Sequence, residues 1–268
     1  MDVRHVREKM YVPLRKTRDL GNMLLRPTVD ESWYHRFVGQ VTHLATIRPD
    51  TAFATLQLAK GLQQQTKEHH AAARDLLIYL RDTKDLGCEY GVDPSGAQLT
   101  DTSTDSSFGG DRVTGHADGG HVTTLKQGLV AAKASTQSAV TTNSFEAENM
   151  QLCSTTKGVL KLRNYMEHDF DMPLNGPSLV RIDNEAVRAF AQNVAPTRMA
   201  RHINQAQLFG REQFRNGLID LVTCKSEDNV ADIHTKVLSR RVHEKHCRAM
   251  GMRRRSEIME QHQRSAAG

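Results

Sequence analysis

The first clear pattern along the chain is the helical spacing of apolar residues between positions 31 and 83. It predicts three amphipathic helices, whose apolar positions are Phe37, Val38, Val41, Leu44 and Ala45, then Phe53, Leu56 and Leu58, then Ala73, Leu76, Leu77 and Leu80. The first helix is expected to end near Arg48, because the residue before a proline is disfavoured in the α conformation. We therefore expect a compact helical segment in this part of the chain.

The pattern then changes to short pieces with β-strand character. Strands are predicted over 98–105, 119–126 and 128–135, separated by glycines as in hairpins. A long helix follows, in which Thr142, Asn143 or Ser144 can serve as the N-cap and Gly158 interrupts the apolar face. The remaining pattern predicts, in order, a strand at 177–183, helices at 185–193 and 201–217, a strand at 218–224 and a final helix at 228–239.

Basic residues are concentrated at the two ends of the chain. Residues 1–30 carry seven Lys/Arg against four Asp/Glu, and residues 237–268 carry eight against three. The middle of the chain is acidic, with 24 Asp/Glu against 21 Lys/Arg, so the formal net charge of +5 comes entirely from the ends. Because basic ends are usually solvated tails, this charge favours nucleic-acid binding only weakly.

Cysteine spacing and hydropathy indicate the compartment. The four cysteines lie far apart without paired spacing, which favours free thiols in a reducing compartment over disulfides or a zinc site. No apolar run approaches the roughly 20 residues of a membrane helix, and the charged N-terminus has no apolar core like that of a secretory signal. We expect an intracellular protein, cytoplasmic or nuclear, with no membrane partner.

Four acidic residues occupy positions that can meet in a folded domain. Asp105 lies in the first predicted strand, Glu148 in the long helix, Asp183 at a strand end and Asp232 in the opening turn of the final helix. A few carboxylates brought together in this way are suitable ligands for Mg²⁺. Four positions among 31 acids are easily found by chance. Helix caps, turn residues and surface acids therefore remain the default interpretation of the spacing alone.

Seven stretches of the sequence also resemble a known family. They read YHRFVGQVTHLATIRPDTAFA, EHHAAARDLLIYLRDTKDLGCEY, TDSSFGGD, NSFEAENM, RIDNEAVRAFAQN, RHINQAQLFGRE and NVADIHTKVL. From about Tyr34 to Gly251 they resemble, in the same order, motifs of the C-terminal part of the Pol polyprotein of copia-type LTR retrotransposons. That part comprises the end of the reverse transcriptase and the ribonuclease H domain.

The resemblance implies an α/β fold of the ribonuclease H type, with a mixed five-stranded sheet flanked by helices and a small helical connection segment before it. Together with the patterning, it divides the chain into four parts. These are a basic, loosely ordered segment at 1–30, the helical connection segment at 31–95, the ribonuclease H-like domain at 96–236 and a basic helical tail at 237–268.

The resemblance also implies residue roles. It places Asp105, Glu148, Asp183 and Asp232 on the catalytic acids of the family. The implied reaction is hydrolysis of the RNA strand of an RNA–DNA hybrid, with two Mg²⁺ or Mn²⁺ ions activating water and stabilising the leaving oxygen. The hybrid would be recognised by its A-form-like shape and its 2′-hydroxyl groups. The rest of a Pol polyprotein is a further implied partner.

Several positions depart from the family pattern. Ser107 replaces the second acid of the first motif, His121 replaces an aromatic residue, Asn149 replaces a tyrosine and Leu208 replaces a histidine. The polymerase palm with its Tyr-x-Asp-Asp motif does not precede Trp33, so we expect no DNA synthesis by this chain. Two hypotheses follow. One is an active ribonuclease H-like enzyme; the other is a catalytically decayed transposon relic or a domesticated module that binds nucleic acid or protein.

Overall fold

The computed structural model describes residues 3, 9–15, 31–90, 100–111, 114–192 and 208–267. Its helices are α1 (Glu31–Leu44), α2 (Ala52–Lys60), α3 (Lys67–Asp82), α4 (Ser144–Asn164), α5 (Glu185–Gln192), α6 (Phe209–Arg215), α7 (Arg240–Ala249) and α8 (Arg255–Ala267). Its strands are β1 (Leu86–Cys88), β2 (Thr100–Ser107), β3 (His116–Leu125), β4 (Gly128–Val140), β5 (Ser178–Ile182), β6 (Ile219–Thr223) and β7 (Met252–Arg254). In the described part of the chain, no helix combines the length and apolar character needed to cross a bilayer.

The chain forms two compact units. Unit 1 comprises Met1–Gly91 and Lys236–Gly268, and unit 2 comprises Val92–Thr235. In unit 1 the three helices predicted from apolar spacing are present as α1, α2 and α3. Their apolar faces form one core, whose fully buried members include Tyr34, Leu58 and Leu76.

The C-terminal segment expected as a tail packs into unit 1. Strand β7 pairs antiparallel with β1, so that Cys88 lies opposite Met252. Helix α7 buries His243, His246 and Cys247, and both Met250 and Met252 are fully buried. The segment is rich in Lys and Arg, and its buried side chains are His, Cys and Met. Apolar periodicity therefore gives little indication of this packing.

A buried polar network connects α7 with the helices of unit 1. Arg48 donates from Nε and Nη2 to the Asp50 carboxylate at 2.9 and 2.7 Å, and Tyr79 donates its hydroxyl to the same carboxylate at 2.6 Å. Arg48 also donates to the backbone and side-chain oxygens of Thr83. The ring of His243 lies edge-on to Tyr79 at 5.7 Å between centroids. Burial, followed by the Asp50 carboxylate, raises the pKa of Tyr79.

This network makes a stability prediction for unit 1. Asp50→Asn keeps the side-chain shape but leaves the Arg48 charge buried without its anion. We therefore expect the free energy of unfolding to fall by about 3 kcal/mol. Trp33, the single tryptophan, stacks on Phe37, and its fluorescence in a urea titration reports on this unit. The control is Glu244→Gln, which removes an exposed ion pair with Arg240 and should cost less than about 1 kcal/mol. Equal effects of the two substitutions would contradict the assignment.

Unit 2 is built on one mixed sheet of five strands in the order β4-β3-β2-β5-β6. Strands β2, β3 and β4 pair antiparallel, whereas β5 pairs parallel with both β2 and β6. Helices α4, α5 and α6 pack beside it in the same unit. The predicted α/β architecture, a mixed five-stranded sheet flanked by helices, is confirmed.

The centre of the sheet is polar. Every residue of β2 is Thr, Ser or Asp, and six of its eight residues are buried. Side-chain pairs satisfy the polar groups that face α4: the hydroxyls of Thr104 and Thr155 lie 2.8 Å apart, and Gln137 donates to Ser106 Oγ at 3.2 Å. The apolar core of unit 2 lies on the parallel side, around Val180, Ile182, Phe190 and Leu221. Apolar alternation alone therefore gives only a weak indication of β2.

Two local predictions are corrected by the structure. Helix α4 continues through Gly158 without interruption, because the glycine costs less than the packing of the whole helix stabilises. The final helix predicted at 228–239 is wrong: the chain forms short 3₁₀ turns at Ser226–Asp228 and Val230–His234. The predicted helix at 201–217 falls partly outside the described residues, and the described part contains α6. Asn143 is the N-cap of α4, accepting from the Glu146 backbone at 2.9 Å.

His121 lies beneath α4 at the position of Gly158. A methyl group added at Gly158 would be 3.7 Å from His121 Nε2, and His121 Nδ1 has no hydrogen-bond partner among the residues the structure describes. Burial, with smaller contributions from His234 and Lys133, lowers the pKa of His121 from 6.5 to about 4. The folded protein therefore keeps this imidazole neutral at conditions in which the unfolded chain protonates it.

The stability of unit 2 should consequently fall with acidification between about pH 6.5 and pH 4, the unfolded and folded values of the His121 pKa. From about pH 7 to about pH 5 the loss due to His121 is expected to be about 2 kcal/mol. His121→Phe should remove this component of the pH dependence. Urea unfolding followed by far-UV circular dichroism at the two pH values measures it. An unchanged pH dependence in the variant would show that His121 is solvated.

Candidate metal centre

Three of the predicted site residues converge in unit 2. Asp105, Asp183 and Asp232 each offer a carboxylate oxygen, and these oxygen atoms all lie within 4.8 Å of one another. Asp105 and Asp232 are buried, and Asp183 is partly exposed. Residues separated by 78 and 49 positions in the sequence therefore meet at one point. Among the described residues, this group consists of these three acids.

The site forms where two parallel strands stop pairing. The register of β2 with β5 runs from Asp101 to Ser103, and β5 ends at Ile182. Asp105 lies two residues beyond the last pair on one strand, and Asp183 follows directly after the other. Crevices at the carboxyl ends of parallel strands are common binding sites in α/β proteins. The end of this pairing leaves room for a third segment of chain.

The third segment is the turn that carries Asp232. Its N-cap, Asn229, accepts from the Ala231 backbone at 3.2 Å and donates from its amide to Thr104 O at 3.0 Å. At the other end of the turn, the Thr235 hydroxyl donates to Oδ2 of Asp105. The short 3₁₀ turn thus brings Asp232 alongside Asp105, a role for which the sequence analysis expected the first turn of an α-helix.

Glu148, the fourth predicted residue, reaches β2 from helix α4. Its Oε1 accepts from the Ser106 backbone at 3.3 Å, next to Asp105 in the chain. Glu146 points elsewhere, because its carboxylate accepts from the Thr142 backbone and hydroxyl at 2.8 and 3.0 Å. Glu148 therefore borders the three-aspartate group without belonging to it.

Gly120 allows the Asp232 turn to approach the sheet. It lies opposite Asp105 in the β2–β3 register. A methyl group added at Gly120 would be 2.4 Å from Cβ of His234 and 3.3 Å from the backbone oxygen of Lys133. His234 is fully buried. Any side chain on Gly120 would therefore push the turn away from the sheet.

Comparison with known proteins places this architecture in context. The retrovirus-related Pol polyproteins from transposons RE2 and RE1 of Arabidopsis thaliana are each 24% identical to this chain, over 223 and 225 residues. The corresponding polyprotein from transposon TNT 1-94 of Nicotiana tabacum is 26% identical over 223 residues. These matches cover 82–84% of this chain. Over most of its length the chain is similar to retrovirus-related Pol polyproteins from transposons. The resemblance predicted from the motifs is confirmed.

The chain spans about 15% of the length of the curated relatives it matches. Among solved structures, RNase H1 from the halophilic archaeon Halobacterium salinarum NRC-1 matches with a TM-score of 0.35, 18% identity and coverage of 50% of this chain and 92% of that chain. LC11-RNase H1 in complex with RNA/DNA hybrid matches with a TM-score of 0.34 and the same identity and coverage. No protein-family profile matches the chain. The α/β assignment of this chain rests on its own five-stranded mixed sheet and flanking helices.

The chemistry of the three converging aspartates fits a divalent cation. Mg²⁺ binds carboxylate oxygens at about 2.1 Å, so ligands of one ion lie within about 4.2 Å of each other. The distances between the three carboxylate oxygens, up to 4.8 Å, would need to shorten only slightly for all three to bind one ion. The negative field also reaches Cys224, whose pKa is raised to about 11 by burial first and then by Asp183. A cation would relieve the mutual repulsion of three carboxylates.

Sequence reasoning did not assign a role to several residues that build the site. Asn229 and Thr235 lie within the NVADIHTKVL motif, and Gly119 and Gly120 form a doublet within a predicted strand. A glycine inside a strand signals close approach of other groups, so the doublet was an available clue. Asn229 was a candidate cap of the final predicted helix, together with Asp228, but its contact with β2 had no signal in the sequence. Thr235 carries no comparable signal, because its partner is set by a tertiary contact.

Gly120→Ala tests the close approach of the turn. The new methyl group meets the Cβ of His234, which cannot rotate away, so we expect a loss of about 1–3 kcal/mol in unfolding free energy. Gly158→Ala is the matched control, because its methyl group makes an ordinary 3.7 Å contact and should stabilise α4 by about 0.5–1 kcal/mol. Urea titrations followed by circular dichroism compare the two. A neutral Gly120→Ala would mean that the turn does not pack on β3.

Proposed function

We propose that the chain is a ribonuclease H-type enzyme that hydrolyses the RNA strand of RNA–DNA hybrids with the help of Mg²⁺ or Mn²⁺. The observation that carries the proposal is the convergence of Asp105, Asp183 and Asp232 to within 4.8 Å where the central strands β2 and β5 of the mixed sheet stop pairing. The family resemblance of the sequence motifs implies catalytic roles for the same three acids. Unit 2 is the proposed nuclease domain, and the helices of unit 1 are the proposed connection segment.

In this mechanism Asp105, Asp183 and Asp232 would hold the metal ions, and Glu148 would contribute a carboxylate from α4. Bound divalent ions would lower the pKa of the attacking water and stabilise the charge that develops on the leaving 3′ oxygen. The protein's part is to fix the carboxylates on a rigid sheet. Asp183 is partly exposed, so its carboxylate would be accessible to an approaching phosphodiester.

The proposed substrate and partners follow from the family. Retrotransposon Pol polyproteins are the homologues of this chain, and a ribonuclease H activity in such a protein would act on the RNA–DNA hybrid made during reverse transcription. The hybrid would be recognised through its backbone shape and 2′-hydroxyl groups. Other Pol segments are proposed partners, because the chain corresponds to about 15% of its relatives.

A non-catalytic descendant that binds nucleic acid or protein is the second candidate. The observation that favours it is the polar, buried His121, which occupies the position of an aromatic residue in the family pattern and stays neutral at a cost to stability. Loss of packing residues near retained acids is expected when catalysis is no longer required. A cleavage assay separates the two candidates.

The proposal predicts Mg²⁺-dependent cleavage of a labelled RNA–DNA hybrid, abolished by a chelator. Asp105→Asn should lower the rate by more than the about 10–100-fold typical of losing an outer-shell partner, and Glu148→Gln should also lower it. Asp101→Asn is the matched control on the same strand. It removes only the ion pair between Asp101 and Arg181, and both side chains of this pair are partly solvated. The cleavage rate should therefore stay nearly unchanged.

Two outcomes would overturn the assignment. Cleavage that survives Asp105→Asn and Glu148→Gln would contradict the roles of these carboxylates. A folded protein that binds the hybrid without cutting it would support the non-catalytic candidate.

A further inference from the structure

The turn that carries Asp232 is attached to strand β2 at both of its ends. The amide of Asn229 donates to the carbonyl of Thr104, and the hydroxyl of Thr235 donates to the carboxylate of Asp105. These two acceptors belong to consecutive residues of one strand. The 3₁₀ turn between the two donors, Val230–His234, contains Asp232 at its centre.

The first attachment replaces a missing strand contact. Beyond Ser103, β2 has no further register with β5, and the Thr104 carbonyl accepts instead from the Asn229 side chain at 3.0 Å. Asn229 is fully buried, and its other side-chain atom caps the turn through the Ala231 backbone at 3.2 Å. Because buried polar groups must be hydrogen-bonded, no other orientation of the amide serves both contacts.

The second attachment acts on a proposed metal ligand. Asp105 is almost completely buried, and one of its oxygens, Oδ2, accepts from Thr235. The backbone of Thr235 donates in turn to the Asp232 carbonyl at 3.2 Å. The orientation of the Asp105 carboxylate is thereby tied to the turn that holds Asp232.

We propose that Asn229 and Thr235 are positioning residues that set the spacing and orientation of Asp105 and Asp232 for a divalent cation. This inference rests on the proposed metal centre. Like-charged carboxylates repel each other and would spread apart in the absence of a cation. Neutral donors at both ends of the turn oppose that spreading, so the ligands are already near their binding geometry when the ion arrives.

The test compares Thr235→Val with Thr235→Ser in the 268-residue chain. Valine has nearly the same shape without the hydroxyl, whereas serine keeps the donor. Mn²⁺ affinity is measured by titration without nucleic acid, so the readout does not depend on cleavage. Thr235→Val should weaken Mn²⁺ binding by about 10-fold or more, as expected for an outer-shell partner, and Thr235→Ser should stay within about 3-fold of the wild type.

Thr123→Val is the matched control for loss of a buried threonine hydroxyl. Thr123 accepts from Thr102 at 3.1 Å in the same sheet, and its partner is not one of the site acids. This variant should leave Mn²⁺ affinity unchanged. An equal loss of affinity in Thr123→Val and Thr235→Val would show that general destabilisation is responsible, and would overturn the inference.

Asn229→Ser provides a second, independent variant. Its hydroxyl can still accept from the Ala231 backbone as an N-cap, but it is too short to reach the Thr104 carbonyl and adds no charge, so the attachment to β2 is lost. Weaker Mn²⁺ binding is again expected, with the capped turn retained. If Thr235→Val does not fold, this variant decides the question: wild-type affinity in a folded Asn229→Ser protein would overturn the role of the Asn229 attachment.

A metal-free measurement separates this inference from the proposed function. Side-chain coupling constants of Asp105, measured by NMR without added cation, should report one rotamer in the wild type and in Thr235→Ser, and averaged rotamers in Thr235→Val. A single rotamer in all three overturns the positioning role. If the rotamers differ as expected but the wild type binds no Mn²⁺, the positioning role stands and the proposed metal function fails.

Discussion

The separation of two parallel strands is the constraint on which the site depends. Pairing between β2 and β5 ends at Ser103, and the backbone groups of β2 beyond that point need other partners. Asn229 satisfies the Thr104 carbonyl, and Glu148 accepts from the Ser106 amide. The requirement that buried backbone groups be hydrogen-bonded thus brings two further segments to the same strand. Each of these segments carries one of the predicted site acids.

The polar interior of unit 2 has a stability consequence. Strand β2 buries Thr, Ser and Asp side chains, and His121 is held neutral beneath α4. Such an interior gains less from apolar burial than a core of branched aliphatic residues. It relies on satisfied pairs such as Thr104 with Thr155. At Gly120 the sheet has no side chain of its own, and the space is occupied by the buried His234 from the turn that carries Asp232.

Unit 1 shows where apolar periodicity is informative and where it is not. Helices α1 to α3 follow directly from spacing, since their core positions are aliphatic or aromatic. Helix α7 buries His243, His246 and Cys247 in a segment dense in charge, and His243 packs edge-on against Tyr79 of the Asp50 network. The final predicted helix in unit 2 was wrong for a related reason. Side-chain contacts of Asn229 with β2 and with its own turn favour a short 3₁₀ turn over a regular α-helix.

The sequence by itself determined the helices with aliphatic faces and, through the resembling motifs, the five-stranded α/β class. It also singled out four acids as candidate site residues. These depend on local spacing and on the order of motifs, both of which are present in the linear chain. Only the tertiary structure decided that Asp105, Asp183 and Asp232 meet while Glu148 borders them. It also decided that Asn229, Thr235 and Gly120 shape the site. Those features depend on where two strands stop pairing and on which distant groups form hydrogen bonds with the backbone left unpaired there. Such long-range contacts leave no periodic pattern in the sequence.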